Sequence, residues 1–179
     1  MIKTSKLTMN PPKKYVSDIQ KDIYKVFSIL GIEFQRVDCE EAITMEDCLA
    51  IDEALGIKTC KTILLNNQQK TKFYLYVCPG DKRFDCKAFS RELEIARTSF
   101  SSEESFHKYL HANIGGASIL SVIYDTNLDL NIVIDNEIFE SQFIGLNDCT
   151  TVSYLKMFTS DLLNKYLPYT NHNYVVIGK

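Results

Sequence analysis

The chain has 179 residues, 45% hydrophobic and 24% charged, with a net charge of −3, which suits one globular domain and argues against a general nucleic-acid binder. Its six cysteines (Cys39, Cys48, Cys60, Cys78, Cys86, Cys149) form no C-x-x-C pair and there are only three histidines, so no local zinc site is expected and the thiols read as reduced, buried and inert. No secretory-type start and no long apolar run is present, so a cytoplasmic protein without membrane association is expected.

Residues 1–14 carry Lys3, Lys6, Lys13, Lys14 and the pair Pro11-Pro12, with few apolar anchors, so a flexible basic tail is expected before a domain spanning 15–179. Ser17 and Gln20 make a capping box for a helix whose core face is Ile19, Ile23, Val26, Phe27 and Leu30, stopped by Gly31. "IEFQRV" reads as a strand. Thr44 with Asp47 caps a second helix, "MEDCLAIDEAL", ended at Gly56. Two strands, Cys60–Leu65 and Lys72–Cys78, flank the turn "NNQQK", and "PGD" breaks the chain.

Residues 85–95 read as helical and "RTSF" as extended. Ser101 with Glu104 caps a helix running to about Ala112. After the loop "NIGGAS", "ILSVIY" and "LNIVID" are expected to pair antiparallel. "IFESQFIGLNDCTTVSYLKM" reads as a helical turn, a loop and a strand. Thr159 is expected to cap a last helix, "SDLLNKYL", halted before Pro168, and "YVVI" to close the sheet. The predicted class is α+β: a central mostly antiparallel or mixed, curled sheet flanked by helices.

Charge is unevenly spread. From Gly56 to Arg91 eight basic residues face only Asp81 and Asp85, a local +6 that leaves −9 elsewhere. Such a face fits an anionic partner held at one place. Lys61 stands near the start of an apolar strand, where lysine is depleted. Period-two alternation puts it on one face with Ile63 and Leu65, as an ammonium at the rim of an apolar pocket would be. The bland alternative is an edge-strand lysine that deters aggregation. The Gly-Gly pair 115–116 either aims backbone N–H groups at a carbonyl oxygen or simply stops a helix.

Taken in order, "EALG", "CK-x-x-x-L", "PGDKR", "R-x-SF-x-x-EE", the Gly115 loop, "IGLN" and "T-x-DLL-x-KYLP" resemble the YbaK/ProX-type aminoacyl-tRNA deacylases over residues 18–177. The pattern is most similar to the freestanding alanyl-tRNA(Pro) deacylases associated with prolyl-tRNA synthetase. The resemblance implies metal- and cofactor-independent hydrolysis of a mischarged ester, with tRNA, not DNA, as partner and the synthetase as a further one. It implies that Lys61 holds the terminal phosphate and that Gly115, Gly116, Ala117, Ser118 and Ile119 shape the pocket. It puts Asn147 on the pocket's far side. Thr44 and Thr62 are expected to touch substrate, and Lys58, Lys82 and Arg83 to touch tRNA. The chain departs from the family pattern at Thr62 (asparagine in the motif), Ile119 (proline), Asn147 (histidine) and Asp148 (proline). Asparagine hydrogen-bonds but carries no charge near neutral pH. Three readings therefore stay open: an active deacylase, a catalytically weak relative that binds tRNA or a synthetase, or a binder of some other small ligand in the same pocket.

Overall fold

Ser17 starts the first helix as its sequence requires. In the computed structural model, which describes residues 2–42, 44 and 46–178, α1 runs Asp18–Leu30, and the Ser17 hydroxyl accepts from the Gln20 N–H. The Gln20 side chain reaches back to the Val16 N–H at 2.9 Å. Gly31 closes the helix in the left-handed region at φ +61°. Ile19, Ile23, Val26 and Phe27 all face the core.

β1 (Phe34–Asp38) follows, then α2 (Cys48–Leu55), ended by Gly56. β2 (Cys60–Asn67) and β3 (Phe73–Pro79) form the predicted hairpin, with Lys61 opposite Cys78. α3 (Cys86–Glu92) is capped by the Asp85 carboxylate, and β4 (Thr98–Phe100) lies along β2. α4 (Glu103–Leu110) is capped by Ser102 rather than Ser101, one residue later than predicted, because the Ser102 hydroxyl accepts from the Ser105 N–H.

The expected antiparallel partner of "LNIVID" is not a strand. Ile119–Tyr124 is a 3-10 helix, started by the Ser118 hydroxyl accepting from the Leu120 N–H. A short all-apolar run carries no period that separates a buried strand from a buried helix, and here packing decided. β5 (Leu130–Asp135) instead lies parallel to β3 and to β8 (Tyr174–Ile177). Its nearly continuous burial is what a central parallel strand requires.

After α5 (Asn136–Glu140), β6 (Phe143–Asn147) and β7 (Ser153–Phe158) form a hairpin; β6 falls within the stretch read as a loop. Thr159 does not cap the last helix; its hydroxyl is buried without a partner among the described residues. The helix does not halt before Pro168 either. Thr159–Asp161 is α-helical, Leu162–Tyr166 is π-helical and Leu167–Tyr169 resumes the α form. The wider turn puts Pro168 at the start of a new α segment, where its missing N–H is not needed.

Two sheets result: a five-stranded mixed sheet ordered β4-β2-β3-β5-β8 and a three-stranded antiparallel sheet ordered β1-β7-β6. They meet at one parallel bridge, Thr59 to Gly145. The main core, including Ile23, Phe27, Leu75, Ile132, Leu155 and Tyr166, joins α1, the terminal helix and both sheets. α3 brings Phe89 to Leu65, Tyr74 and Tyr76 on the other face of the large sheet, and α2 brings Ile51 and Leu55 to Val37 and Tyr154 on the small one. The segment expected to fray is also tied down in part. Thr8 exchanges backbone hydrogen bonds with Arg36 at 2.7 and 2.9 Å, and Ser5 N–H donates to Asp38 at 2.7 Å. Backbone pairing along a free strand edge needs no apolar side chains, which is why composition did not reveal it.

Candidate functional site

Two groups of predicted residues form around the bridge between the sheets. The first is the Gly115 loop with Asn147. Gly115 has φ +90°, a backbone shape that side-chain-bearing residues rarely adopt. At Gly116 a Cβ would stand 3.1 Å from the Cys149 carbonyl and 3.2 Å from that of Asn113. A side chain at Gly115 would therefore strain the backbone, and one at Gly116 would crowd the 148–152 turn on which the loop lies.

Asn147, at the end of β6, holds this loop from below. Its amide nitrogen donates to the carbonyls of Ala117 at 2.9 Å and Gly115 at 3.5 Å, and its oxygen accepts from the Cys149 N–H at 3.0 Å. The Ser118 hydroxyl donates to the Asn147 carbonyl at 2.8 Å. Every polar atom of the Asn147 side chain is thus used inside the protein. The Ile119 side chain is fully buried in the main core, and Ser118 is buried with it. Gly115 and Ala117 are the loop's half-exposed members, and their backbone N–H groups find no acceptor among the described residues.

Behind the loop lies a residue that sequence reasoning noted only as a departure. Asp148 is fully buried. Its carboxylate accepts from Gln20 at 2.9 Å, from the Tyr24 hydroxyl at 2.8 Å and from Thr150 at 2.7 Å. Burial raises its pKa above the usual carboxylate value, against the pull of those donors. The same burial raises the Tyr24 phenol. Asp148 ties the turn after Asn147 to α1. No single local motif announces it; the signal would have been the pairing of Gln20 and Tyr24 one helical turn apart on the buried face of α1.

The second group centres on Lys61. It is half-buried on the face of β2 shared with Ile63 and Leu65, and its ammonium donates to the Lys82 carbonyl in the "PGDKR" turn. Thr62, one residue on, points to the opposite face, that of Cys60 and Leu64 in the main core. Beside Lys61's partner Cys78 is a hollow of about 90 Å³ lined by Tyr76, Cys78, Lys82, Arg83, Phe84 and Asp135 among others. Lys82 is paired at 2.9 Å with both the buried Asp135 and Glu137. Hydrogen bonding to Asp135 and Glu137 raises its pKa. Lys58 is paired with Asp81 on the surface, and Arg83 is exposed. Thr44 is exposed and bonds Asp47 at 2.8 Å; its neighbours Ile43 and Met45 lie outside the described residues.

The hydrogen bonds of the two groups do not cross between them. Their link is the backbone: β2 and β6 leave the Thr59–Gly145 bridge in the same direction, so Lys61 and Asn147 each stand two residues beyond it on diverging strands. Burial pushes the thiols of Cys39 and Cys78 up to about 12 and raises those of Cys60 and Cys149 as well. None of these four is a ready thiolate near neutral pH. Among the described residues no three His, Cys, Asp or Glu side chains converge to hold a metal ion, and no helix is long and apolar enough to cross a membrane.

Comparison with known proteins agrees with this architecture. The model of the aminoacyl-tRNA editing domain family matches residues 39–165. No curated protein matches the chain. Among solved structures, the hypothetical protein APE2540 superposes with a TM-score of 0.67 at 13% identity, covering 88% of this chain and 99% of that one. A proposed trans-editing enzyme for prolyl-tRNA synthetase superposes with a TM-score of 0.64 at 14% identity, covering 92% and 99%. At such identities the likeness is one of fold. The matched span covers well over half of the sequence and contains Lys61, the Gly115 loop and Asn147: the chain belongs to the aminoacyl-tRNA editing domain family.

Proposed function

We propose that this protein is a trans-editing deacylase that hydrolyses the ester of a mischarged tRNA, alanyl-tRNA(Pro) foremost, in the cytoplasm. The observation that carries the reading is the Asn147-braced loop, whose half-exposed members Gly115 and Ala117 have backbone N–H groups with no acceptor among the described residues. Donors fixed in advance are what a developing oxyanion needs. A water oxygen adds to the ester carbonyl carbon and negative charge grows on the carbonyl oxygen. The bond to the ribose oxygen then breaks, and that oxygen takes up the water's proton. Lys61 and the exposed Arg83 meet the phosphate of the terminal nucleotide, and Thr62 and Thr44 contact the substrate. A pocket sized for alanine refuses proline by bulk, the sense of selection that a synthetase pocket built for proline cannot supply against a smaller side chain. Prolyl-tRNA synthetase is the partner that supplies the mischarged product.

One observation favours a second reading. Asn147 stands where the resemblance implies a histidine, and its amide is wholly engaged in bracing, so it offers no proton to the reaction. A weak relative that binds charged tRNA without hydrolysing it would look the same here. Deacylation of alanyl-tRNA(Pro) by the wild type and by Lys61→Ala separates the two. Ester loss that disappears in the variant supports the enzyme; binding without ester loss supports the alternative. Seryl-, cysteinyl- and threonyl-esters run alongside test the choice of amino acid.

A further inference from the structure

The lysines expected to meet RNA already have partners within the protein. Lys58 is paired with Asp81, Lys82 with Asp135 and Glu137, and Lys61 is bonded to the Lys82 carbonyl. The opposite holds at the N-terminus. Lys6, Lys13, Lys14 and Lys21 are exposed, and none makes an ion pair among the described residues. Over residues 1–25 six lysines face only Asp18 and Asp22.

These lysines line two adjoining hollows. One, of about 630 Å³, lies between the N-terminal segment, α1 and β1, and has Lys6, Lys13 and Lys14 in its wall. The other, of about 550 Å³, continues past Lys13 and Lys14 to Lys21. The floor of the first is built. Arg36, only 4% exposed, donates from Nε to the Asn10 carbonyl at 3.1 Å, which fixes the segment bearing the lysines. Its guanidinium also engages Asp38, so the one acid in that wall is already neutralised. Gln20, in the same floor, donates to Asp148, the residue after Asn147. The basic hollow therefore backs directly onto the turn that braces the proposed catalytic loop.

We infer that this N-terminal groove is a second RNA-backbone surface, on which Lys6, Lys13 and Lys14 take successive phosphates of the acceptor stem; this rests on the deacylase reading above. A tethered row of unpaired ammonium groups suits a polyanion, and a small anion would leave most of them unused. The groove adds affinity without reading bases, since phosphate contacts position a nucleic acid but carry no sequence information.

The test measures binding of a deacylated tRNA(Pro) transcript as a function of salt. The wild type is compared with the triple change Lys6→Gln, Lys13→Gln, Lys14→Gln and with the matching arginine triple, with ester hydrolysis followed in parallel. Each lost phosphate contact lowers the log–log salt slope by about 0.7–0.9. The glutamine triple should therefore lose about 2–3 from the slope, while the arginine triple keeps it. A glutamine triple with the wild-type slope, in a protein that still cleaves the ester, overturns the groove and leaves the deacylase standing. A wild type that neither binds nor cleaves overturns both.

Discussion

The side chain of Asn147 holds the carbonyl of Ala117 at 2.9 Å, and through that contact the end of β6 sets the shape of a loop some thirty residues earlier in the chain. Changing Asn147 to Ala removes donors to two carbonyls and the acceptor for the Cys149 N–H. A loss of about 1–3 kcal/mol in denaturant unfolding is expected. Asn147→Asp should be worse, because its carboxylate faces two carbonyl oxygens with no proton to give. If the loop positions the ester, both variants lose kcat more than they raise KM.

Gly115 and Gly116 should tolerate nothing larger. Gly115→Ala forces a Cβ onto a φ of +90°, and Gly116→Ala pushes against backbone oxygens that cannot swing aside. Each should cost about 1–3 kcal/mol and lower the Tm in a thermal scan.

Asp125 gives the protein a definite acid sensitivity. It accepts from the N–H groups of Asp129 at 2.9 Å and Leu130 at 2.8 Å and meets the His172 ring at 3.0 Å. Burial alone would raise its pKa, but His172 and the two amides outweigh burial and hold it below the ordinary 3.8. The folded state thus gives up this proton at lower pH than the unfolded chain. The stabilisation is complete above pH 3.8 and is lost as pH falls through the lowered folded value. Asp125→Asn should flatten that part of the curve of unfolding free energy against pH while lowering stability at neutral pH.

The two lysines of the basic stretch that form ion pairs should behave differently. Lys82→Ala leaves Asp135, 1% exposed, with Tyr76 and the Glu137 N–H but no cation. A cost of about 2–3 kcal/mol is expected, below the usual range for a buried pair because the lysine is itself about one-third exposed. Lys58→Ala breaks a pair that is open to water and should leave the denaturation midpoint where it was. Loss of tRNA binding in a Lys82 variant therefore needs a matching stability measurement before it counts as a lost contact.

Thr159→Val should be neutral or stabilising by up to about 1 kcal/mol. The substitution removes a buried hydroxyl that has no partner among the described residues and keeps its shape. A clear drop in Tm would show that the hydroxyl has a partner after all.

Much of the fold is written in local signals. Ser17, Gly31, Gly56 and Asp85 bound their helices because capping chemistry acts within a few residues. Long-range choices were not legible. "ILSVIY" could pack as strand or helix, and the parallel setting of β5 is decided by its neighbours in space. The pairing of residues 5–8 with β1 rests on backbone groups that every sequence possesses. At the site, sequence put Lys61 on the correct face with Ile63 and Leu65 and singled out the Gly115 loop. It could not see that Asn147 is a brace, because that role depends on carbonyls distant in the chain. Asp148 registered only as a departure from the family pattern for the same reason: two of its donors, Gln20 and Tyr24, come from α1.

Gly145 has a consequence for evolution as well as for geometry. A methyl group there would stand 3.1 Å from the Thr59 Cα and 3.2 Å from the Lys58 carbonyl, at the bridge where the two sheets meet. It would act as a shim, prying the strands apart at their pivot. The strand ends carrying Lys61 and Asn147, each two residues beyond the bridge, would move apart while each kept its own local bonds. One methyl group at a position that belongs to neither group could thus reset the spacing between them without changing any residue in either.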